Sequence, residues 1–137
     1  MLISRWEQAG AKLLALATEF PEEKYETAPV AGVRTFGDVL RHVALWNLYV
    51  ADIARGNKTD ETANELPRAE YASKASVVTA LAMSNGKAIA ALREHEAGLD
   101  PDKAALAESF IEHICEHYGQ LVVYARWAGV VPPASRT

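Results

Sequence analysis

Nowhere in this chain do apolar and polar residues alternate with the two-residue period of a strand; apolar residues recur three and four apart along four long stretches. Each stretch is closed by proline or glycine. The pattern points to helices throughout, and helices with one apolar stripe each must bury those stripes against one another. The fold class that follows is all-α, a four-helix bundle. A chain of 137 residues is long enough for one domain with a proper core and too short for two, so residues 1–137 are expected to form a single bundle domain.

The first helix is predicted over residues 3–20, with Trp6, Ala9, Leu13, Leu16 and Ala17 on its apolar face, Ser4 as N-cap and Pro21 as its stop. Residues 21–34 read as a loop in which Tyr25, an isolated aromatic, covers the edge of the core. Thr35 caps the second helix, Asp38 is placed to complete a capping box, and Gly56 closes the helix after Arg55. Val39, Val43, Trp46, Val50 and Ile53 define its apolar arc. His42 and Tyr49 fall inside that arc, with Arg41, Asp52 and Arg55 on the other side.

The polar connection over residues 57–72 exceeds the roughly 2–8 residues common between bundle helices. It predicts a crossover between helices two and three rather than a tight antiparallel turn. The third helix is predicted over residues 73–97, capped by Ser73, with Val77, Leu81, Ala88 and Leu92 inward. The fourth is capped by Asp100, has Pro101 at its first position and extends to Ala128 before Gly129. Leu106, Phe110, His113, His117, Leu121 and Tyr124 form one stripe along it.

His113 and His117 stand four residues apart, which puts both imidazoles on one helix face, one turn apart. His42 is a third inward histidine on another helix. Neutral imidazole is a common metal ligand, so the three could share one ion. They could equally be separate core histidines bonded to backbone, hydroxyls or water. Spacing alone leaves both accounts open. The motif is not that of a zincin peptidase, because Ile114 occupies the position where a zincin has its glutamate. Glu112 and Glu116 fall off the stripe, and Cys115 points away from it and reads as a small packing residue. His95, near a helix C-terminus, reads as a surface residue. Trp46, Tyr49 and Tyr124 lie close to the histidine faces, and Gln120, one turn beyond His117, could orient a substrate or water there.

A net charge of −4 without a Lys/Arg cluster argues against a nucleic-acid surface. The N-terminus lacks the basic and apolar regions of a signal peptide, the single cysteine has no internal partner, and no apolar run approaches the roughly 18 residues of a membrane span. A cytoplasmic protein with no membrane and no nucleic-acid partner is expected.

Three stretches together resemble the DinB-like family (DinB/YfiT-type metalloenzymes): Arg-Thr-Phe-Gly-Asp-Val-Leu-Arg-His around the start of helix two, Leu-Pro-Arg-Ala-Glu-Tyr-Ala-Ser-Lys-Ala before helix three, and His-Ile-Cys-Glu-His-Tyr-Gly-Gln-Leu in helix four. The closing Arg-Trp-Ala-Gly-Val-Val-Pro-Pro-Ala-Ser-Arg is similar to the family's C-terminal signature. The resemblance covers nearly the whole chain. It implies up-down-down-up helix order, a homodimer, and a divalent metal, nickel or zinc, held by His42, His113 and His117. Some relatives transfer low-molecular-weight thiols or run thiol-dependent isomerisations, and many have no assigned activity. The family commonly has arginine where this chain has Tyr118, which is expected to lie off the metal face.

Two function classes follow. In the first, the three-histidine site leaves open coordination positions and activates water or a low-molecular-weight thiol towards a small-molecule substrate. Trp46 and Tyr49 would line the pocket and Gln120 would support it, with no catalytic side chain assigned beyond the metal site. In the second, the bundle is a non-catalytic, stress-related binder of metal or ligand. An open cavity beside the metal separates the two.

Overall fold

A computed structural model describes residues 2–59 and 63–137. Four helices form the bundle: α1, Leu2–Glu19; α2, Phe36–Ala54; α3, Lys74–Glu94; and α4, Pro101–Trp127. Among the described residues no strand occurs.

Helix α1 buries Trp6, Ala9, Leu13, Leu16 and Ala17, the face its spacing predicts. Ser4 is not its cap: the helix already includes Leu2, and Ser4 is an exposed residue within it. After Phe20 the chain crosses one end of the bundle. Tyr25 is not an edge lid there, being 2% exposed, with its hydroxyl donating to the Ala17 carbonyl. It packs edge-on to Phe36, at 5.1 Å between ring centroids, and Phe36 stacks on Phe20 at 3.7 Å. The crossing is locked to the start of α2 because the Gly37 N–H donates to the Tyr25 carbonyl at 2.7 Å.

Thr35 caps α2 by accepting from the Asp38 N–H. The Asp38 carboxylate does not complete a capping box with it; it pairs with Arg41 at 2.8 Å and with Arg68. Arg41 is the larger correction. It is 1% exposed rather than on an outer face. Its guanidinium is satisfied by Glu26 at 2.7 Å, Asp38 and the Tyr71 carbonyl at 2.8 Å. Two connections fold over this side of α2, so a position the helical wheel places outside lies under other chain.

The long connection is a crossover, as expected. It leaves the C-terminal end of α2 and returns along it, so that the Leu66 N–H meets the Arg41 carbonyl at 3.3 Å. Helices α2 and α3 are therefore parallel neighbours, with Asn47 and Ser84 bonded at mid-length and Arg55 and Glu94 paired at their C-terminal ends. Helix α1 runs antiparallel to α3, since Glu7 meets Arg93, and parallel to α4, since Arg5 meets Glu108 and Lys12 lies over the Tyr118 ring. Helix α4 runs antiparallel to α2, with Tyr49 beside Phe110 and Phe36 beside Tyr124. The order is up-down-down-up.

Helix α3 buries Val77, Leu81, Ala88 and Leu92 and begins with a reciprocal Ser73–Ser76 capping box. It ends at Glu94 rather than residue 97, His95 is its C-cap, and Glu96–Gly98 form a 3-10 turn. By length and composition alone an 18-residue window of this helix, at a mean hydropathy of 1.3, is long and apolar enough to cross a membrane; Val77, Leu81, Ala88 and Leu92 of the same helix pack into the bundle. Helix α4 starts at the Asp100 cap with Pro101 and ends before Gly129, whose φ of 78° a side chain would resist.

Candidate metal centre

The histidine face of α4 lies at the edge of the core rather than its centre. The deepest seam of that helix is Ala107, Ile111, Ile114, Leu121 and Ala125, whereas Leu106, Phe110, His113 and His117 are half-buried. Helix α4 packs against both α1 and α2, so its mid-line faces the bundle axis and the histidine stripe turns towards α2 and the returning connection. His42, 7% exposed, meets it from α2.

The three imidazoles converge. Their ligand atoms lie within 4.8 Å of one another. His113 Nε2 and His42 Nε2 are 2.8 Å apart, one donating to the other. Ring centroids stand 4.8 Å apart for His42 with each of the others, and 4.5 Å apart for His113 with His117. Two nitrogens held about 2.0–2.1 Å from one zinc-sized ion stand no more than about 4.2 Å apart. A small ring rotation therefore brings the whole set within reach of one ion.

The remaining nitrogens are held. His42 Nδ1–H donates to the Asn64 carbonyl at 2.6 Å, which leaves Nε2 as the lone-pair nitrogen. His117 Nδ1–H donates to Gln120 Oε1 at 2.9 Å. Gln120 Nε2 donates to the Tyr124 hydroxyl at 3.0 Å, which donates to the Arg34 carbonyl at 2.6 Å. Burial lowers the His42 pKa, and the Arg34 and His117 charges add to it against the Asn64 hydrogen bond and the Glu65 carboxylate. Burial, then His117, His42 and Arg34, push His113 down to about 3. His42 and His113 are thus neutral near pH 7, the form that binds a metal.

Aromatic side chains of α2 and α4 pack beside the histidines, Trp46 against His42 and Phe110 against His113. Trp46 stacks on Phe110, with centroids 5.6 Å apart, and its Nε1–H donates to Asn64 Oδ1 at 3.0 Å. Tyr49 lies edge-on to Trp46 at 5.0 Å. A pocket of about 140 Å³ runs beside Trp46 and Tyr49 to Ala63 and Leu66. A larger groove, about 440 Å³, lies between α2 and α3, away from the histidines. Tyr118 is turned to α1 under Lys12, off the histidine face as expected. Cys115 is exposed rather than packed, and likewise off that face. Glu112 and Glu116 are exposed.

Sequence reasoning missed Asn64, Glu65 and Arg34. The first two sit in a polar connection with no periodicity to read, and Arg34 ends a loop. The signal available was length: a connection too long for a turn has to lie over something.

Residues 5–121 match the family model of the DinB superfamily. The match includes all three histidines and Gln120 and stops before Tyr124 and the C-terminal residues. No curated protein matches the chain.

Proposed function

The chain belongs to the DinB superfamily, and on that premise we propose that His42, His113 and His117 bind one divalent metal, nickel or zinc, for metal-dependent chemistry on a small molecule. The observation that carries this is the convergence of three imidazoles from two helices, with His42 and His117 each held at the far nitrogen. Such outer hydrogen bonds fix the tautomer and orientation of ligating histidines.

The bound ion would supply Lewis acidity, lowering the pKa of a coordinated water or low-molecular-weight thiol. The Asn64 carbonyl keeps Nε2 of His42 unprotonated. Gln120 does the same for Nε2 of His117 by accepting its Nδ1–H, and Tyr124 anchors Gln120 to the Arg34 carbonyl. The stacked Trp46 and Phe110 screen one side of the cluster from water. No side chain here is assigned as general base, and thiol transfer rests on family membership alone. The same membership suggests a homodimer, which sedimentation at micromolar concentration would test.

A non-catalytic metal- or ligand-binding bundle is the second reading. The pocket beside Trp46, about 140 Å³, favours its metal-holding form, because pockets for small-molecule ligands or substrates usually span roughly 300–1,000 Å³. Metal per chain, measured without a histidine tag after dialysis against nickel or zinc, tests the shared premise. About one ion per chain is expected, and loss of it in His42→Ala, His113→Ala and His117→Ala. No metal in the unsubstituted protein near pH 7 would sink the premise. Metal without turnover of any thiol-dependent substrate would favour the second reading.

A further inference from the structure

Resting on the metal-binding reading above, we propose that Arg34 is an anion-binding residue at the mouth of the histidine cluster, and that the small molecule handled there carries a carboxylate. Arg34 stands at the end of the first connection, just before the Thr35 cap of α2. Its carbonyl terminates the hydrogen-bond chain that begins at His117. Its backbone is therefore fixed relative to the imidazoles.

The guanidinium is poorly satisfied. Nη2 stands 3.4 Å from Glu65 Oε2, at the long limit of a hydrogen bond. Nε is screened from solvent and has no hydrogen-bond partner among the described residues. Buried donors without acceptors are uncommon and call for an explanation. Nε and Nη2 form one edge of the planar guanidinium, the edge that grips a carboxylate with two parallel hydrogen bonds. Here half of that edge is idle and the other half is held weakly.

Glu65 is the internal group nearest to filling the role. Its side chain is 39% exposed, so it can yield. It follows Asn64, whose carbonyl holds His42. The Arg34 charge acts on both His42 and His113, which places it within range of whatever the imidazoles bind. A divalent ion among neutral imidazoles, with an arginine beside it, makes this corner positive in a chain of net charge −4. A small carboxylate replacing Glu65 on the Nε–Nη2 edge would satisfy the idle donor beside the histidine cluster.

The test uses acetate as probe, with inorganic phosphate as comparison. Acetate is titrated into nitrogen-15-labelled protein, metal-stripped and zinc-loaded, while the Arg34 Nε–H resonance is followed. A saturable shift of that resonance is expected in both states. Glu65→Gln, which removes the internal competitor, is expected to tighten acetate binding several-fold. Arg34→Gln and Arg34→Lys, followed through the Glu65 amide, are expected to weaken it at least about tenfold, because neither side chain offers the paired edge, with zinc per chain unchanged. Acetate affinity that survives Arg34→Gln, an Nε–H that responds in neither state, or no gain in Glu65→Gln overturns the proposal. Phosphate binding more tightly than acetate overturns the carboxylate assignment. The metal-stripped titration needs no ion, so its outcome separates failure here from failure of the metal reading, which zinc per chain reports.

Discussion

Gln120 does for His117 what the Asn64 carbonyl does for His42: each accepts the far N–H and leaves the other nitrogen free. Outer partners of this kind typically change metal affinity about 10–100-fold. Gln120→Leu is accordingly expected to weaken zinc or nickel binding by that factor, read by competition with a coloured chelator, while one ion per chain still binds at saturation. Equal affinity in the variant would show that the hydrogen bond does not orient the ring. Asp38 bears on stability rather than on the site. Burial alone would raise its pKa, but hydrogen bonds and charge from Arg68 and Arg41 outweigh it and hold the carboxyl below its usual value. A carboxyl depressed in the folded chain stabilises above its unfolded pKa of about 4, and that contribution is lost as pH falls through the folded value. Asp38→Asn is expected to lower the thermal midpoint at pH 7, and the two curves should converge on acidification below about pH 4. A constant gap down to the lowest pH would rule out a charge effect.

Helix starts were legible in the sequence because caps are local. Thr35, Ser73 and Asp100 each bond an N–H three residues on, with no help from distant chain. Ser4 misled because a serine within the first turn of a helix looks locally like a cap, and here the helix already includes Leu2. Arg41 misled for the opposite reason: its burial is imposed by residues 26 and 71, which no helical wheel contains. Gly37 shows how closely the first connection is applied to α2. A Cβ there would stand 2.6 Å from Glu26 Oε1, 3.0 Å from Arg41 Nη1 and 3.2 Å from the Tyr25 carbonyl. Gly37→Ala is expected to destabilise the fold by about 1–3 kcal/mol, the usual cost of overpacking, in urea unfolding followed by circular dichroism. Gly37→Ala as well tolerated as Gly86→Ala, where a Cβ meets nothing within 4 Å and alanine favours the helix, would show that the contact yields.

For the whole molecule, the parallel pairing of α2 with α3 forces the intervening chain to return along α2, and that return lays Asn64 against His42 and Glu65 against Arg34. A metal bound there ties α2 to α4 and should stabilise the folded chain by mass action. At about 100 times its dissociation constant a ligand adds about 2.7 kcal/mol, several degrees of thermal midpoint for a domain of this size. Zinc is expected to raise the midpoint of the unsubstituted protein and chelator to reverse it, with neither acting on His113→Ala. A zinc-induced rise of equal size in that variant would place the ion elsewhere.

Apolar spacing, proline and glycine stops and three caps were enough to set four helices and to put His42, His113 and His117 on helix faces, because period and capping are properties of a few neighbouring residues. That these faces meet, that His113 and His117 sit at the core's edge, and that Arg34, Asn64 and Glu65 surround them were decided by the tertiary structure. Those contacts join residues 22 to 90 positions apart, and only the packing of the helices and the path of the connections between them brings such residues together.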